Sequence, residues 1–381
     1  MKRKIAAALL CLPLLCLTAR AAPNESGTSA RAAAVIEMKT GRVLFDYNGS
    51  EKLPQASTTK IMTALLALEE TDLDSYFTVD RDAIHVEGSS MGLQEGDQVS
   101  LRQLCYGMLL PSGNDAANAT AVRLAGSLPA FAALMNERAY QLGLQNTAFV
   151  TPSGLDAPGH YTTALELAQL ARYAMGDANF REICSQYRAK THFGNPPYDR
   201  YLTNYNKLLD FYEPCIGIKT GFTGDAGRVL VSAAAKDGVE LICVTMNDPD
   251  DWADHERLYE QYFAELEPVD LSELVGEIAM PVAGGAREAA AGPAEAPILP
   301  LRAGEYERLR CRYAVPAFEY APVEEGGYAG RADIRLDGEL LYSLPLGYTR
   351  GSDPVTPYRE EQSLWERIRA MGQGIAGFFT G

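Results

Sequence analysis

Ser57 and Lys60, in the string Ser57-Thr58-Thr59-Lys60, are a nucleophile and a base three residues apart. At the start of a helix such a pair lies on one face, so the amine can reach the hydroxyl, and the helix N-terminus favours negative charge at an attacked carbonyl. The string alone is weak, since chance supplies one Ser-x-x-Lys in about every chain of this size. Its setting adds weight: Leu53-Pro54-Gln55-Ala56 precedes it and an apolar helix follows. A lysine is a base only when partly neutral, so its pKa must fall from about 10.4 through burial or a nearby cation. Lys219-Thr220-Gly221, just ahead of a strand, offers that cation, a hydroxyl and a residue with no side chain. Such a strip can bind a terminal carboxylate while a peptide backbone comes close, as at a sheet edge. The same three residues recur at Lys39-Thr40-Gly41, between two strand-like runs, where glycine suits a tight turn and Lys39 and Thr40 read as solvated. Between the two copies lies Pro111-Ser112-Gly113-Asn114-Asp115. By itself it reads as a helix N-cap through Ser112 or Asn114. In the order Ser-x-x-Lys, Ser-Gly-Asn, Lys-Thr-Gly it reads as a proton-passing hydroxyl and an orienting amide.

These residues need elements to hold them. Ala32–Met38 and Arg42–Tyr47 read as a hairpin, and a helix is predicted from Ser57 through Leu68. Leu101–Leu110, Asn114–Leu124, Leu128–Leu142 and Thr163–Met175 show helical apolar spacing, and strands return at Ile216, Arg228–Ala234 and Glu240–Met246. That order predicts an α/β (α+β) fold, an antiparallel sheet backed by helices, over residues 23–267. A linker-like stretch near Glu267-Pro268 opens a region of short alternating runs rich in Gly and Pro, which predicts a small all-β domain over 268–352 with a mobile loop from Ala283 to Pro297. From 353 to 381, Leu364, Trp365, Ile368, Met371, Ile375, Phe378 and Phe379 form one apolar stripe, which predicts an amphipathic helix. It can pack on its own protein or lie in a membrane surface; the membrane is the favoured partner, although the polar face carries no net positive charge.

At the other end, Met1-Lys2-Arg3-Lys4, an apolar run to Leu17 and small residues through Ala22 read as a signal peptide, residues 1–22, cleaved after Ala21 or Ala22. The run is short of the roughly 20 residues that span a bilayer. Loss of its four cations takes the net charge of −16 to near −20, an acidic balance that argues against nucleic acid as a partner. Cys105, Cys184, Cys215, Cys243 and Cys311 stand at wide spacings with no Cys-x-x-Cys pair. Buried free thiols are the default reading, and a disulfide in an oxidising compartment stays open. His85, His160 and His192 lack ligand spacing, and His255 among Asp248, Asp250, Asp251 and Asp254 reads as a solvated loop and helix start. No metal and no cofactor are expected.

With these residues in place the chain resembles the low-molecular-mass penicillin-binding proteins, the serine D-Ala-D-Ala carboxypeptidases of the peptidase S11 family. The resemblance is carried by Ala56–Thr63, Gly107–Ala117, Gly159-His160-Tyr161-Thr162-Thr163-Ala164 and Gly217-Ile218-Lys219-Thr220-Gly221-Phe222-Thr223. It implies a penicillin-binding-protein/β-lactamase-like transpeptidase fold, often with a C-terminal β-domain and an anchor helix, on an exported protein at the outer face of the cell membrane. It further implies that Ser57 forms an acyl-enzyme, Lys60 takes its proton, Ser112 and Lys219 pass a proton to the leaving D-Ala, and Asn114 holds the substrate amide. The backbone N–H groups of Ser57 and Phe222 would form the oxyanion hole, and Thr220 would bind the terminal carboxylate. Implied partners are peptidoglycan stem peptides and, as covalent inhibitors, β-lactams. Some members place an arginine for the carboxylate ahead of Lys-Thr-Gly, where this chain has Asn204-Tyr205-Asn206-Lys207. A serine β-lactamase would need a carboxylate for its deacylating water; Glu166, in a helical pattern, reads as surface or cap. A non-catalytic wall-binding homologue would usually have lost part of the set.

Overall fold

The computed structural model describes residues 27–355, Ala296 excepted; the signal-peptide segment and nearly all of the C-terminal amphipathic helix lie outside them. The chain divides into two compact units, with the boundary between Ala264 and Glu265.

The first unit is built on a five-stranded antiparallel sheet. Its strands are β1 (Ala32–Glu37), β2 (Val43–Tyr47), and, after the helical middle, β7 (Cys215–Thr223), β8 (Gly227–Lys236) and β9 (Val239–Met246), in the order β2-β1-β9-β8-β7. Between them come α1 (Lys60–Leu68), the short strands β3 (Phe77–Thr78) and β4 (Gln98–Val99), α2 (Leu101–Leu109), α3 (Asn114–Ala125), α4 (Leu128–Gln141), α5 (Ala164–Met175), α6 (Ala178–Cys184), a hairpin of β5 (Arg188–Gly194) and β6 (Pro197–Thr203), and α7 (Leu208–Phe211); α8 (Asp251–Phe263) closes the unit. All six residues of β1 are buried, so the sheet is covered on both faces. Both α5 and α8 pack on β9.

The helices begin where their caps put them. Ser100 and Gln103 make a reciprocal capping box at α2, Ser127 and Thr163 cap α4 and α5, and Pro129 sits in the first turn of α4. In α1 every residue but Leu66 is buried, the pattern of a helix surrounded on all sides. It packs on α2, α3, α5, α6 and β7, which makes it the rigid axis of the unit.

Several sequence expectations need correction. The helix at Ser57 does not start there: Ala56–Thr59 is a 3-10 turn and the α-helix begins at Lys60. Ala56 has φ +47°, a left-handed conformation that alanine rarely adopts. The acidic run at α8 does begin a helix, yet it is not solvated. Asp248, Asp251, Asp254 and His255 are buried, and the His255 ring is held between the hydroxyls of Ser232 (2.7 Å) and Thr245 (3.1 Å). At Lys39-Thr40-Gly41, Gly41 does take the turn with φ +76°, but Thr40 is half-buried and bonds the Glu37 carboxylate through its hydroxyl and its N–H.

In the second unit, Glu267–Asp270 is not a linker but a strand paired with Ile298–Leu301. The segment expected as a mobile loop holds Ala289–Gly292, a fully buried strand inside a five-stranded sheet with Ile278–Met280, Glu339–Arg350, Tyr328–Leu336 and Leu309–Ala314. An Ala- and Gly-rich composition suits a tightly packed strand as well as a loop, and burial decides between them. Of the five cysteines among the described residues, four are buried and Cys311 is half-buried, all as free thiols.

Candidate active site

The 3-10 turn and the first residue of α1 bring Ser57 and Lys60 together at one cleft. Lys60 is fully buried, and its Nζ donates to Ser57 Oγ (3.0 Å), Asn114 Oδ1 (2.7 Å) and the Ser153 carbonyl oxygen (2.6 Å). Burial pushes its pKa well below the ordinary lysine value, the nearby Lys219 lowers it further, and Asp115 works against both. Lys219, also buried, donates to the Thr220 carbonyl oxygen (2.7 Å), and burial brings it down to about 7.

Asn114 opens α3 and its amide is fixed in orientation, because Nδ2 donates to the Glu87 carbonyl oxygen (2.7 Å) and leaves Oδ1 for Lys60. The next residue, Asp115, accepts from Ser90 Oγ (2.6 Å) and from the N–H groups of Met91 (2.9 Å), Gly92 (3.0 Å) and Leu93 (3.0 Å), fastening the 87–93 loop beside the site. Ser112 sits just ahead with φ +63°, a left-handed serine. The helix N-cap is Gly113, without a side-chain bond, rather than Ser112 or Asn114. A Cβ at Gly113 would fall 2.9 Å from the Met91 nitrogen, so the turn needs glycine for space.

A second clamp comes from residues 150–163. Thr63 Oγ1 donates to the Pro152 carbonyl oxygen (2.6 Å), and Gly154, at φ +87°, presses so close that a Cβ would lie 1.9 Å from the Ala56 carbonyl oxygen. The His160 ring accepts from the Val150 N–H at Nδ1 (2.9 Å), which places its proton on Nε2, 2.7 Å from Thr59 Oγ1. Burial brings His160 down to about 4, so it is neutral at working pH.

The edge strand β7 passes directly over the Ser57 turn: a Cβ on Gly221 would be 3.1 Å from the Ser57 nitrogen. Ser57, Ser112, Thr220, Gly221 and Phe222 line one cleft of about 300 Å³, and Arg228, Asp251 and Trp252 line it too. Every residue expected from the sequence therefore lies in or against this cleft, Lys60, Asn114 and Lys219 from beneath. The Glu166 carboxylate is taken up by Asn146 N (2.8 Å) and Thr147 Oγ1 (2.6 Å). Among the described residues no group of His, Cys, Asp and Glu could hold a metal. Sequence reasoning did not find Asp115, Ser153, Arg228, Asp251 or Trp252 as site residues. Gly154 beside Ser153 was the one local signal for that turn, and nothing in the spacing pointed to Arg228.

A buried lysine bonded to a serine hydroxyl, roofed by the open edge of an antiparallel sheet, defines a serine–lysine acyl-transfer enzyme. The family model described as D-alanyl-D-alanine carboxypeptidase, peptidase S11, matches residues 18–250, and the chain belongs to that family. It is 32% identical over 339 residues to Escherichia coli D-alanyl-D-alanine carboxypeptidase DacC, covering 83% of this chain and 82% of that one. To Bacillus subtilis DacF it is 33% identical over 256 residues, 64% of this chain and 66% of DacF. The crystal structure of penicillin binding protein 5 from Haemophilus influenzae matches with a TM-score of 0.66 at 26% identity, over 86% of this chain and 98% of that one.

Proposed function

We propose that this protein is a serine D-Ala-D-Ala carboxypeptidase that trims the terminal D-Ala from peptidoglycan pentapeptides through an acyl-enzyme on Ser57. The observation that carries the reading is Lys60 Nζ, fully buried and 3.0 Å from Ser57 Oγ, under a cleft roofed by β7. A stem peptide adds as an extra strand along the free edge of β7, where Gly221 lets its backbone approach Ser57. Ser57 Oγ attacks the penultimate carbonyl carbon as its proton passes to neutral Lys60. The oxyanion accepts hydrogen bonds from the Ser57 and Phe222 N–H groups, each worth about 3 kcal/mol in the transition state. Collapse breaks the C–N bond, and the leaving nitrogen takes a proton by way of Ser112 and Lys219. Asn114 holds Lys60 and the substrate amide, Thr220 receives the carboxylate, and water then attacks the ester with Lys60 as base. A β-lactam follows the same first half and stays attached, because its leaving group remains tethered.

The test is release of D-Ala from a pentapeptide, with mass spectrometry of the penicillin-labelled peptide. Ser57→Ala should abolish both release and label; release that survives overturns the mechanism. Export by residues 1–22 and attachment to the membrane surface by the segment beyond 353 belong to the same proposal. Among the described residues no helix is long and apolar enough to cross a membrane. A chain ending at residue 355 should leave the membrane fraction while keeping its turnover, and if it stays with the membrane the anchor lies elsewhere.

A further inference from the structure

A carboxypeptidase requires a free carboxylate next to the bond it cuts, and the stretch from Asn204 to Lys207 ahead of Lys219 holds no arginine for it: Asn204 and Asn206 are buried and bonded to backbone. We infer that Arg228, on β8, reads the terminal carboxylate of the substrate, so that specificity for a free C-terminus is set from the strand behind the sheet edge. This rests on the carboxypeptidase reading above.

Arg228 stands directly across from Phe222 in the β7–β8 register, and directly opposed residues project to the same face. It lines the same cleft as Ser57 and Thr220. The side chain is set in place before any ligand arrives. Its Nη2 donates to Asp251 Oδ1 at the head of α8, and its guanidinium carbon lies 5.4 Å from the centre of the Trp252 ring. Asp251 is nearly inaccessible, whereas the Arg228 side chain is 41% exposed and lines the cleft, so part of it stays open to a ligand. Its Nε is a buried donor with no hydrogen-bond partner among the described residues. A buried unmatched donor is costly, and the Asp251 pairing leaves this guanidinium with hydrogen-bonding capacity unused. A carboxylate in the cleft can meet the exposed part of the guanidinium, the planar donor group that arginine offers to such anions.

The chemistry of the other cations points the same way. Lys60 and Lys219 are both pushed toward neutrality by burial, as their proton-carrying roles need. A group that must give up its proton during the cycle is a poor fixed counter-ion. A guanidinium keeps its charge throughout, so the work divides: two lysines move protons and Arg228 holds the anion.

The experiment uses the full-length protein and two acyl-D-Ala thioesters. One carries thioglycolate with its free carboxylate; the other has that carboxylate converted to the amide. The reactive leaving group makes both measurable. Wild type should favour the acid by about 10- to 100-fold in kcat/KM, the scale of a charge-assisted pair. Arg228→Gln should bring that ratio to near one by lowering the acid alone, with turnover of the amide unchanged, which also shows that the variant is folded. Arg228→Lys should keep part of the preference. The inference is overturned if wild type treats acid and amide alike, if Arg228→Gln leaves the preference intact, or if it lowers both substrates equally. Failure of the carboxypeptidase reading looks different: wild type would then release no D-Ala and turn over neither thioester through Ser57.

Discussion

Replacing His160 by glutamine should change the pH dependence of stability in a way that no loss of packing imitates. His160 is 6% exposed and bridges two segments of the site, accepting from the Val150 N–H (2.9 Å) and bonding Thr59 Oγ1 (2.7 Å). A second ring proton would point at the Val150 N–H, and burial already opposes the charge, which brings the pKa from 6.5 to about 4. In the unfolded chain the ring binds its proton near 6.5, so between pH 6.5 and 4 the unfolded state holds more protons than the folded one. The contribution is therefore complete above pH 6.5 and is lost as pH falls, at about 1.4 kcal/mol per pH unit, about 3 kcal/mol in all. His255, brought down to about 3 by burial, adds a slope of the same sign. Asp248, raised by burial, adds one of opposite sign below its raised value. The wild-type curve is thus a sum, and a difference between two proteins isolates His160. Glutamine can accept from Val150 and donate to Thr59 without titrating. Urea unfolding between pH 7.5 and 4.5, followed through Trp252 on α8 in a Trp365→Phe background, is the assay. His160→Gln should be less stable by about 1 kcal/mol at pH 7.5, with a gap that closes and reverses at about pH 6. Parallel curves across that range would refute the reasoning.

Two substitutions should move the acid limb of penicillin acylation in opposite directions. Asp115 raises the Lys60 pKa and Lys219 lowers it, so Asp115→Asn should shift the limb to lower pH and Lys219→Gln to higher pH, read by stopped-flow acylation; shifts of the same sign would sink this account. Asp115→Asn should also cost about 2 kcal/mol, because four donors of the 87–93 loop and the Ala116 N–H converge on its carboxylate. Gly154→Ala combines a left-handed backbone with a Cβ 1.9 Å from the Ala56 carbonyl oxygen, and should cost about 3 kcal/mol or more in urea and slow labelling of Ser57. An alanine variant with native stability would show that the 150–155 turn is not clamped against the nucleophile.

What was legible in the sequence was whatever periodicity and side-chain type encode. The strands of the main sheet and helices α1 to α5 follow from apolar spacing, and the grouping of Ser57, Lys60, Ser112, Asn114 and Lys219 from three short strings in order, whereas α6 and the β5–β6 hairpin were not read. Burial was harder to read. Asp251 and His255 look solvated in a run of acids, yet α8 turns them onto β8 and β9, where Arg228, Ser232 and Thr245 meet them. Ala289–Gly292 looks like a loop because alanine and glycine carry no periodic signal, and the neighbouring strands alone make it a core element. Ser153 contributes a backbone carbonyl, which any residue type could supply, so its identity held no message.

The arginine that we infer for the carboxylate, Arg228, shows the same limit. A string search looks along the chain, whereas a carboxylate at the edge of β7 is met across the sheet, by whatever β8 places opposite. Phe222 and Arg228 are separated by a tight connection and paired in register, so a residue just after the third motif lies beside it in space. The consequence reaches the mechanism. If Lys219 had to serve both as proton carrier and as anchor for the substrate anion, binding the anion would raise its pKa and hold the proton that the leaving amine needs. With Arg228 holding the anion, burial can keep Lys219 near 7, and Lys219 in turn keeps Lys60 neutral enough to act as a base. On this proposal the reactivity of the opening pair depends on a side chain that touches neither Ser57 nor Lys60.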